Sequence, residues 1–270
     1  MNEDIKGYKD LIEAFSASCR VDATEAKGSC TIVYSKEGET YALTNFHVVE
    51  KNIKYGTVWD SLLQKDVKKE LKDAVQVLFP RVDINYDIIG EATAYADIVL
   101  YNKEQDIALL KFRDNTKYPV VKWFPKDGAR NAPILSKVAA IGAALGQKPI
   151  VTEGFLNGKQ IEIDNYEYWM SGAQSIFGNS GGGLFILVDS EWKFLGIPSR
   201  IAVQPMGFTG VPITHMGYFI PIHRIYEWLD ENCYQFLYDK EYTSEQCKEM
   251  RDEKAQNELI KLLSKQRESE

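Results

Sequence analysis

A chain of 270 residues, 44% of them hydrophobic, holds enough apolar side chain to bury a sizeable core, in one large β domain or in a domain with appendages. Its formal net charge of -7, with no Lys/Arg cluster interleaved with aromatics, excludes the basic footprint that a nucleic-acid binder needs. No stretch reaches the roughly 20 apolar residues that cross a bilayer, and Cys19, Cys30, Cys233 and Cys247 show no CxxC spacing, so neither a membrane span nor a structural zinc site is expected.

The opening MNEDIKGYKDLIEAF lacks the basic start and apolar run of a secretory signal, which predicts that the chain stays in the cytoplasm where it is made; a signal replaced by Met1 would leave the same sequence. In that compartment free buried thiols are expected, with local Cys19–Cys30 and Cys233–Cys247 disulfides as the alternative. Tyr8, Leu11, Ile12 and Phe15 recur at helical spacing and predict a short amphipathic helix over 7–17. CTIVYSKEGETYALTNFHVV then reads as two strands joined by a turn at Lys36 to Gly38. Over 51–73, Trp59, Leu62, Leu63, Val67 and Leu71 fall on one face among lysines and acidic residues, the pattern of a surface helix inserted between strands.

Short strands follow: AVQVLF, IVLYN, IALLKF, KVAAIG, IVTEGFL, KQIEI, GLFILV, WKFLGIPSRIAV and GYFIPI. Such a series, with few helices among its members, predicts an all-β antiparallel sandwich or pair of barrels. Ile222, Ile225, Tyr226, Leu229, Cys233, Phe236 and Leu237 mark a helix beyond it. Thr243 with Gln246 forms a capping-box signature for another, carrying Cys247, Met250, Leu259, Ile260 and Leu263 and ending in a charged tail expected to fray.

One segment breaks this pattern. Residues 176–185, IFGNSGGGLF, surround Ser180 with four glycines. Glycine costs roughly 0.5–1 kcal/mol relative to alanine in regular structure, so the backbone here must take a shape, or be approached closely, in a way side chains would block. Serine is a poor nucleophile at neutral pH unless a base takes its proton and that base is itself oriented. His47 closes YALTNFHVV, where the imidazole projects at the end of a rigid strand, and Asp106 stands directly before the apolar strand IALLKF, partly buried and within reach of backbone N–H groups.

Asp97, before IVLY, is the rival carboxylate, but it lacks the small residue and second leucine of DIALL. His215 and His223 have no motif around them and read as surface or capping histidines. GNSGG also matches the nucleophile elbow of α/β-hydrolases, with Asp189 or Asp230 and His215 or His223 following; that elbow must lead into a helix, whereas LFILV is strand-like. A phosphate loop fails for want of a Lys-Ser/Thr pair and a helix start.

TNFHVV, DIALLKF and GNSGGGLF, in this order, resemble the three signatures of trypsin-like serine proteases, and specifically the high-temperature-requirement (HtrA/Deg) branch of the chymotrypsin fold. The likeness extends to GSCTIVYS, AAIGAALGQKPIVTEGFLNG and GYFIPI, and covers about residues 26–225. The resemblance implies two packed six-stranded antiparallel β-barrels, with a helical insertion and a helical C-terminal extension. The expected domain runs over 1–225, with its helix at 7–17 and barrels at about 26–122 and 130–225, and the extension over 226–270.

The same resemblance implies a serine endopeptidase in which Ser180 attacks the scissile carbonyl, His47 acts as general base then acid, and Asp106 holds the imidazole tautomer. Gly178, Asn179 and Ser180 would form the oxyanion hole, with the Gly178 and Ser180 amides as donors. Gln174 would lie at the base of the pocket for the residue before the scissile bond. Pro198, Ser199 and Arg200 would form its wall and pair with the substrate by strand addition. A small or medium uncharged residue is expected there, and a protein or peptide as the partner, without cofactor, metal, nucleic acid or membrane.

Digestive members of the family carry aspartate where this chain has Asn179, so activation by N-terminal cleavage is not expected. Gly183 replaces the usual proline, Cys30 replaces a common glycine, and no PDZ module follows residue 225, which leaves the peptide sensing and large assemblies of PDZ-bearing relatives without support. The apolar faces of the terminal helices either dock on the β domain or serve oligomerisation or a partner. The alternative function is a catalytically silent binding scaffold on a protease fold. Against it, all three polar side chains and the oxyanion glycine are present.

Overall fold

The computed structural model describes residues 3–61, 64–83, 87–207 and 209–268. Two compact units emerge, Met1–Ile222 and His223–Glu270.

The first unit opens with helix α1 (Glu3–Ser16), which begins earlier than the Tyr8–Phe15 spacing predicts. α1 packs on the β domain: Ala14 and Ala17 are buried, and the nearly buried carboxylate of Asp10 accepts from Lys122 Nζ at 2.8 Å. Six strands then close a barrel in the order β1-β2-β3-β8-β7-β6: β1 (Ser18–Asp22), β2 (Lys27–Lys36), β3 (Glu39–Thr44), β6 (Val75–Val82), β7 (Ile88–Asn102) and β8 (Ile107–Phe112). Strand β1, SCRVD, escapes sequence reading because it is short and its polar residues hide the alternation. It moves the start of the barrel to Ser18 from the predicted 26. Ile32, Leu43, Leu109 and Leu110 are fully buried among its strands.

His47 does not end a strand, as predicted, but lies on helical turn α2 (Phe46–Val49), since β3 stops at Thr44. The predicted helix over 51–73 is also absent: β4 (Ile53–Asp60) and β5 (Lys65–Lys72) form a two-stranded sheet of their own. A four-residue apolar spacing fits one face of a strand as well as a helix turn, and the β-branched and aromatic run Ile53, Tyr55, Thr57, Val58, Trp59 decides for strand. Trp59 lies opposite Asp66 and Leu71 opposite Lys54, which places Trp59 and Leu71 on different faces of the ribbon. Leu62 and Leu63 lie outside the described residues.

The second barrel closes in the order β10-β11-β14-β13-β12-β9: β9 (Lys137–Gly142), β10 (Ile150–Ile163), β11 (Tyr166–Ser171), β12 (Gly183–Val188), β13 (Glu191–Met206) and β14 (Thr209–Pro221). The segments IVTEGFL and KQIEI are one strand; the ladder absorbs the turn-like Asn157–Gly158 pair as register shifts against β11. Its largest fully buried side chains are mostly aromatic, with Tyr168, Trp169, Phe185, Phe194 and Phe219 at 0–1% exposure and edge-to-face contacts between Phe185 and Phe194 and between Trp169 and Phe219. The fold is thus the expected all-β pair of six-stranded antiparallel barrels, with a β-ribbon in place of the helical insertion.

Beginning at Ile222, helix α3 (Ile222–Glu231) ends well before the Phe236 and Leu237 expected on it. Cys233 turns left-handed at φ 56, and a 3₁₀ turn over Gln235–Leu237 follows. Within the second unit, helix α4 (Ser244–Glu268) starts at the predicted capping box: Thr243 N–H donates to Gln246 Oε1 at 2.9 Å, and Gln246 N–H to Thr243 Oγ1 at 3.1 Å. Arg251 stacks over the Tyr234 ring and donates to the Cys233 carbonyl at 2.6 Å. All four cysteines are free and buried, and burial pushes the Cys19 thiol, opposite Cys30 across β1 and β2, well above its ordinary range.

Candidate active site

The cleft draws on both barrels. The first contributes α2, carrying His47, and the turn before β8, where Asp106 adopts a left-handed φ of 58. Residues other than glycine rarely hold that conformation, and aspartate is among the more tolerant. The side chain of Asn45, fully buried, donates to the Asp106 carbonyl at 2.9 Å rather than capping α2. That bond ties the start of α2 to the turn holding Asp106.

The Asp106 carboxylate, 8% exposed, accepts the His47 amide on Oδ1 at 3.0 Å and approaches His47 Nδ1 with Oδ2 at 2.9 Å. Ser199 Oγ donates to the same Oδ2 at 2.6 Å. These bonds fix both carboxylate oxygens and present Nδ1 with an acceptor, so the remaining proton-accepting position of a neutral imidazole is Nε2. Asp97, the rival carboxylate, lies on β7 and forms a surface ion pair with Arg113 at 2.6 Å.

Ser180 lies on the tight turn before β12. His47 and Ser180 line one pocket of about 350 Å³ with Ser175, Ile176, Phe177, Asn179 and the β13 residues Pro198, Ser199, Arg200, Ile201 and Val203. No hydrogen bond joins His47 to Ser180 among the described residues.

Gly178 has φ +98, and a Cβ there would meet the Ala143 carbonyl at 2.4 Å; Gly181 has φ +86, and its Cβ would meet the Ser29 carbonyl at 2.1 Å. Only glycine permits both the dihedral and the approach. The Phe177 carbonyl accepts from Leu145 N–H at 2.6 Å, which aims the Gly178 amide of the same peptide the other way. The Asn179 carbonyl likewise accepts from Gly182 N–H at 3.0 Å and orients the Ser180 amide. Among the described residues neither the Gly178 nor the Ser180 amide donates a hydrogen bond within the chain.

Asn179 differs from its assignment to the oxyanion hole. Its own amide donates to the Ile176 carbonyl at 3.0 Å, and its side-chain Oδ1 accepts from Ile176 N–H at 3.3 Å, so it closes the turn. Gln174 is also displaced from its expected place: it is exposed, and its carbonyl accepts from Thr152 Oγ1 at 2.7 Å. Strand-like alternation buries Ala173 and Ser175 and turns Gln174 outward, so Ser175 stands in the pocket, its amide donating to Thr214 O at 2.8 Å. Arg200 borders the pocket while its guanidinium is drawn to Asp164 at 2.6 Å and over the Tyr168 ring. His215 is exposed on β14 and His223 lies in α3; neither lines the pocket.

Ser29 is a participant that the sequence reading passed over. Its Oγ donates to the Gly178 carbonyl and accepts from Ala143 N–H, both at 2.7 Å, and its amide donates to the Ser180 carbonyl at 2.8 Å. One buried residue of the first barrel thus holds the turn of the second. The available signal was a polar side chain beside Gly28 at the start of an apolar strand.

Two closed antiparallel barrels, with a histidine–aspartate pair from one and a glycine-framed serine from the other, define the trypsin-like two-barrel class. The sequence profile of the trypsin-like peptidase domain matches residues 28–197, and the chain belongs to that family. Among solved structures it is similar to two of the HtrA-type protease AlgW with tripeptide, at TM-scores of 0.57 and 0.56 and identities of 19% and 21%. It is likewise similar to the serine endoprotease from Yersinia pestis, at TM-score 0.55 and 19% identity. These alignments take in 85–86% of this chain and 64–66% of the others, so the chain spans about two thirds of their length or slightly less. No curated protein matches the sequence significantly.

Proposed function

We propose that the protein is a serine endopeptidase that hydrolyses peptide bonds through an acyl-enzyme. The observation that carries this reading is the Asp106 carboxylate fixed on His47 Nδ1 at 2.9 Å, with Ser180 in the same pocket. His47 Nε2 takes the Ser180 proton as Oγ attacks the scissile carbonyl, and Asp106 stabilises the imidazolium that forms. The Gly178 and Ser180 amides donate to the developing oxyanion. The protonated imidazole then gives its proton to the leaving amine, and a water activated by the same base releases the acyl group.

The residue before the scissile bond enters a pocket bordered by Ser175, Ile176, Ile201 and Val203, with no carboxylate among its lining residues. That chemistry favours a small or medium uncharged side chain. Asn179 is committed to the Ile176 turn and has no charge to pair with a new N-terminus, so activity is independent of N-terminal cleavage. A fluorophosphonate probe tests the assignment: labelling of wild type at Ser180, absent in Ser180→Ala, is the expected result. A folded wild type that neither reacts nor cleaves a peptide library would instead make the chain a binding scaffold.

A further inference from the structure

Among the residues that line the active-site pocket, Arg200 is the one that carries a permanent charge. Its guanidinium is not held inside. Nη1 donates to Asp164 Oδ2 at 2.6 Å, the planar group lies 5.3 Å from the centre of the Tyr168 ring, and neither partner lines the pocket. The charge therefore sits at the rim.

The two partners hold that charge differently. Tyr168, fully buried on β11, is a fixed platform, and an arginine stacked on an aromatic face keeps its orientation. Asp164 stands instead at the tip of the β10–β11 hairpin, where Ile163 pairs with Tyr166 and Asp164 and Asn165 take φ 52 and 65. A two-residue turn of this kind calls for Asn, Asp or Gly, so asparagine would close it equally well. The Asp164 side chain is 68% exposed, and ion pairs this open are screened by solvent and hold weakly. A carboxylate brought against Arg200 by a bound polypeptide, with water excluded on one side, interacts more strongly than the exposed one it replaces.

We propose, on the basis of the endopeptidase reading above, that Arg200 selects substrates carrying an acidic side chain two to four residues before the scissile bond, and that Asp164 is the internal counter-ion which such a side chain displaces. The residue in the pocket itself stays uncharged, because the guanidinium is drawn away from the space bordered by Ser175 and Ile176. An extended chain advances about 3.3 Å per residue, which brings the three preceding side chains past a group at the rim. The planar fork of donors on arginine matches a carboxylate in shape as well as charge. Preferred substrates are accordingly acidic segments of unfolded protein, and lysine at the same places is rejected by like charge.

The test uses pairs of peptides cleaved at one common bond after an uncharged residue, with Glu or Gln at the second, third or fourth residue before it. At one of these places kcat/KM for the Glu peptide is expected to exceed that for the Gln peptide about fivefold or more. The ratio should fall to about one in Arg200→Gln and shrink between about 0.05 and 0.5 M salt. In Asp164→Asn, which keeps the turn, it should rise by about twofold or more, since the competing carboxylate is gone. Comparing two peptides on the same variant cancels any general loss of activity, and a purely structural ion pair would move thermal stability without moving the ratio. Equal cleavage of both peptides at all three places, a preference for Glu that Arg200→Gln retains, or a ratio that Asp164→Asn leaves unchanged or lowers overturns the inference while leaving the endopeptidase intact. Failure to cleave any peptide, together with absent fluorophosphonate labelling, removes the endopeptidase reading and this inference with it.

Discussion

The two barrels are alike in topology and unlike in what they bring to the cleft. The largest fully buried side chains of the first are aliphatic, and on the proposed reading it delivers the proton-handling pair, His47 and Asp106, from a helical turn and a left-handed aspartate. Those of the second are mostly aromatic, and on the same reading it delivers the nucleophile, the two oxyanion amides and the pocket wall. On that reading neither is chemically competent alone. That reading places proton handling on one barrel and carbonyl recognition on the other, joined by a few short bonds such as those of Ser29.

The sharpest way to break the comparison is to disable each barrel in turn. Ser180→Ala and His47→Ala should each lower kcat by about 10⁴–10⁶, and the double variant should be no worse than either, because the groups act as one unit. Single-turnover kinetics on a cleavable peptide would measure this, and additive losses would show that the barrels contribute separately. Asp106→Asn should follow at about 10⁴, the imidazole then being held in the wrong tautomer.

Gly178→Ala probes the second barrel without touching a proton. The new Cβ would meet the Ala143 carbonyl at 2.4 Å, and kcat is expected to fall about 10²–10³ with KM little changed. Ser199→Ala removes one of the acceptor bonds of Asp106 Oδ2, a contact between the halves, and should cost about tenfold in kcat.

The smallest effect belongs to the β4–β5 ribbon. Tyr101 Oη donates to Glu70 Oε2 at 2.5 Å, which holds the Glu70 carboxyl below its ordinary range. Because the folded value is the lower one, the stabilisation is present above the unfolded pKa and lost as pH falls through the folded one. Tyr101→Phe should therefore raise the Glu70 value toward the usual carboxylate range in an NMR titration and leave kcat/KM unchanged.

The chemistry-bearing motifs were legible because their residue types are dictated locally. A serine framed by glycines, and an aspartate directly before an apolar strand, announce themselves without any neighbours, and Thr243 with Gln246 did the same for α4. The ribbon at 53–72 was misread because a four-residue apolar spacing serves helix and strand alike, and nothing within the segment except its β-branched composition separates them. Gln174 and Asn179 were misplaced for a related reason: which side chain or amide is free to serve the cleft depends on partners such as Thr152 and Ile176 rather than on sequence neighbours.

By itself, then, the order of residues determined that this protein is built of antiparallel strands and carries the three trypsin-like motifs around His47, Asp106 and Ser180. Side-chain alternation and backbone propensity are short-range, and both are written in neighbouring residues. Only the closing of two barrels decided that Asp106 meets His47 and Ser199 together, that Ser29 reaches across to the Gly178 turn, and that Ser180 lines one pocket with His47. Those contacts join residues from separate strands, and their geometry is fixed by register and barrel closure rather than by any local preference.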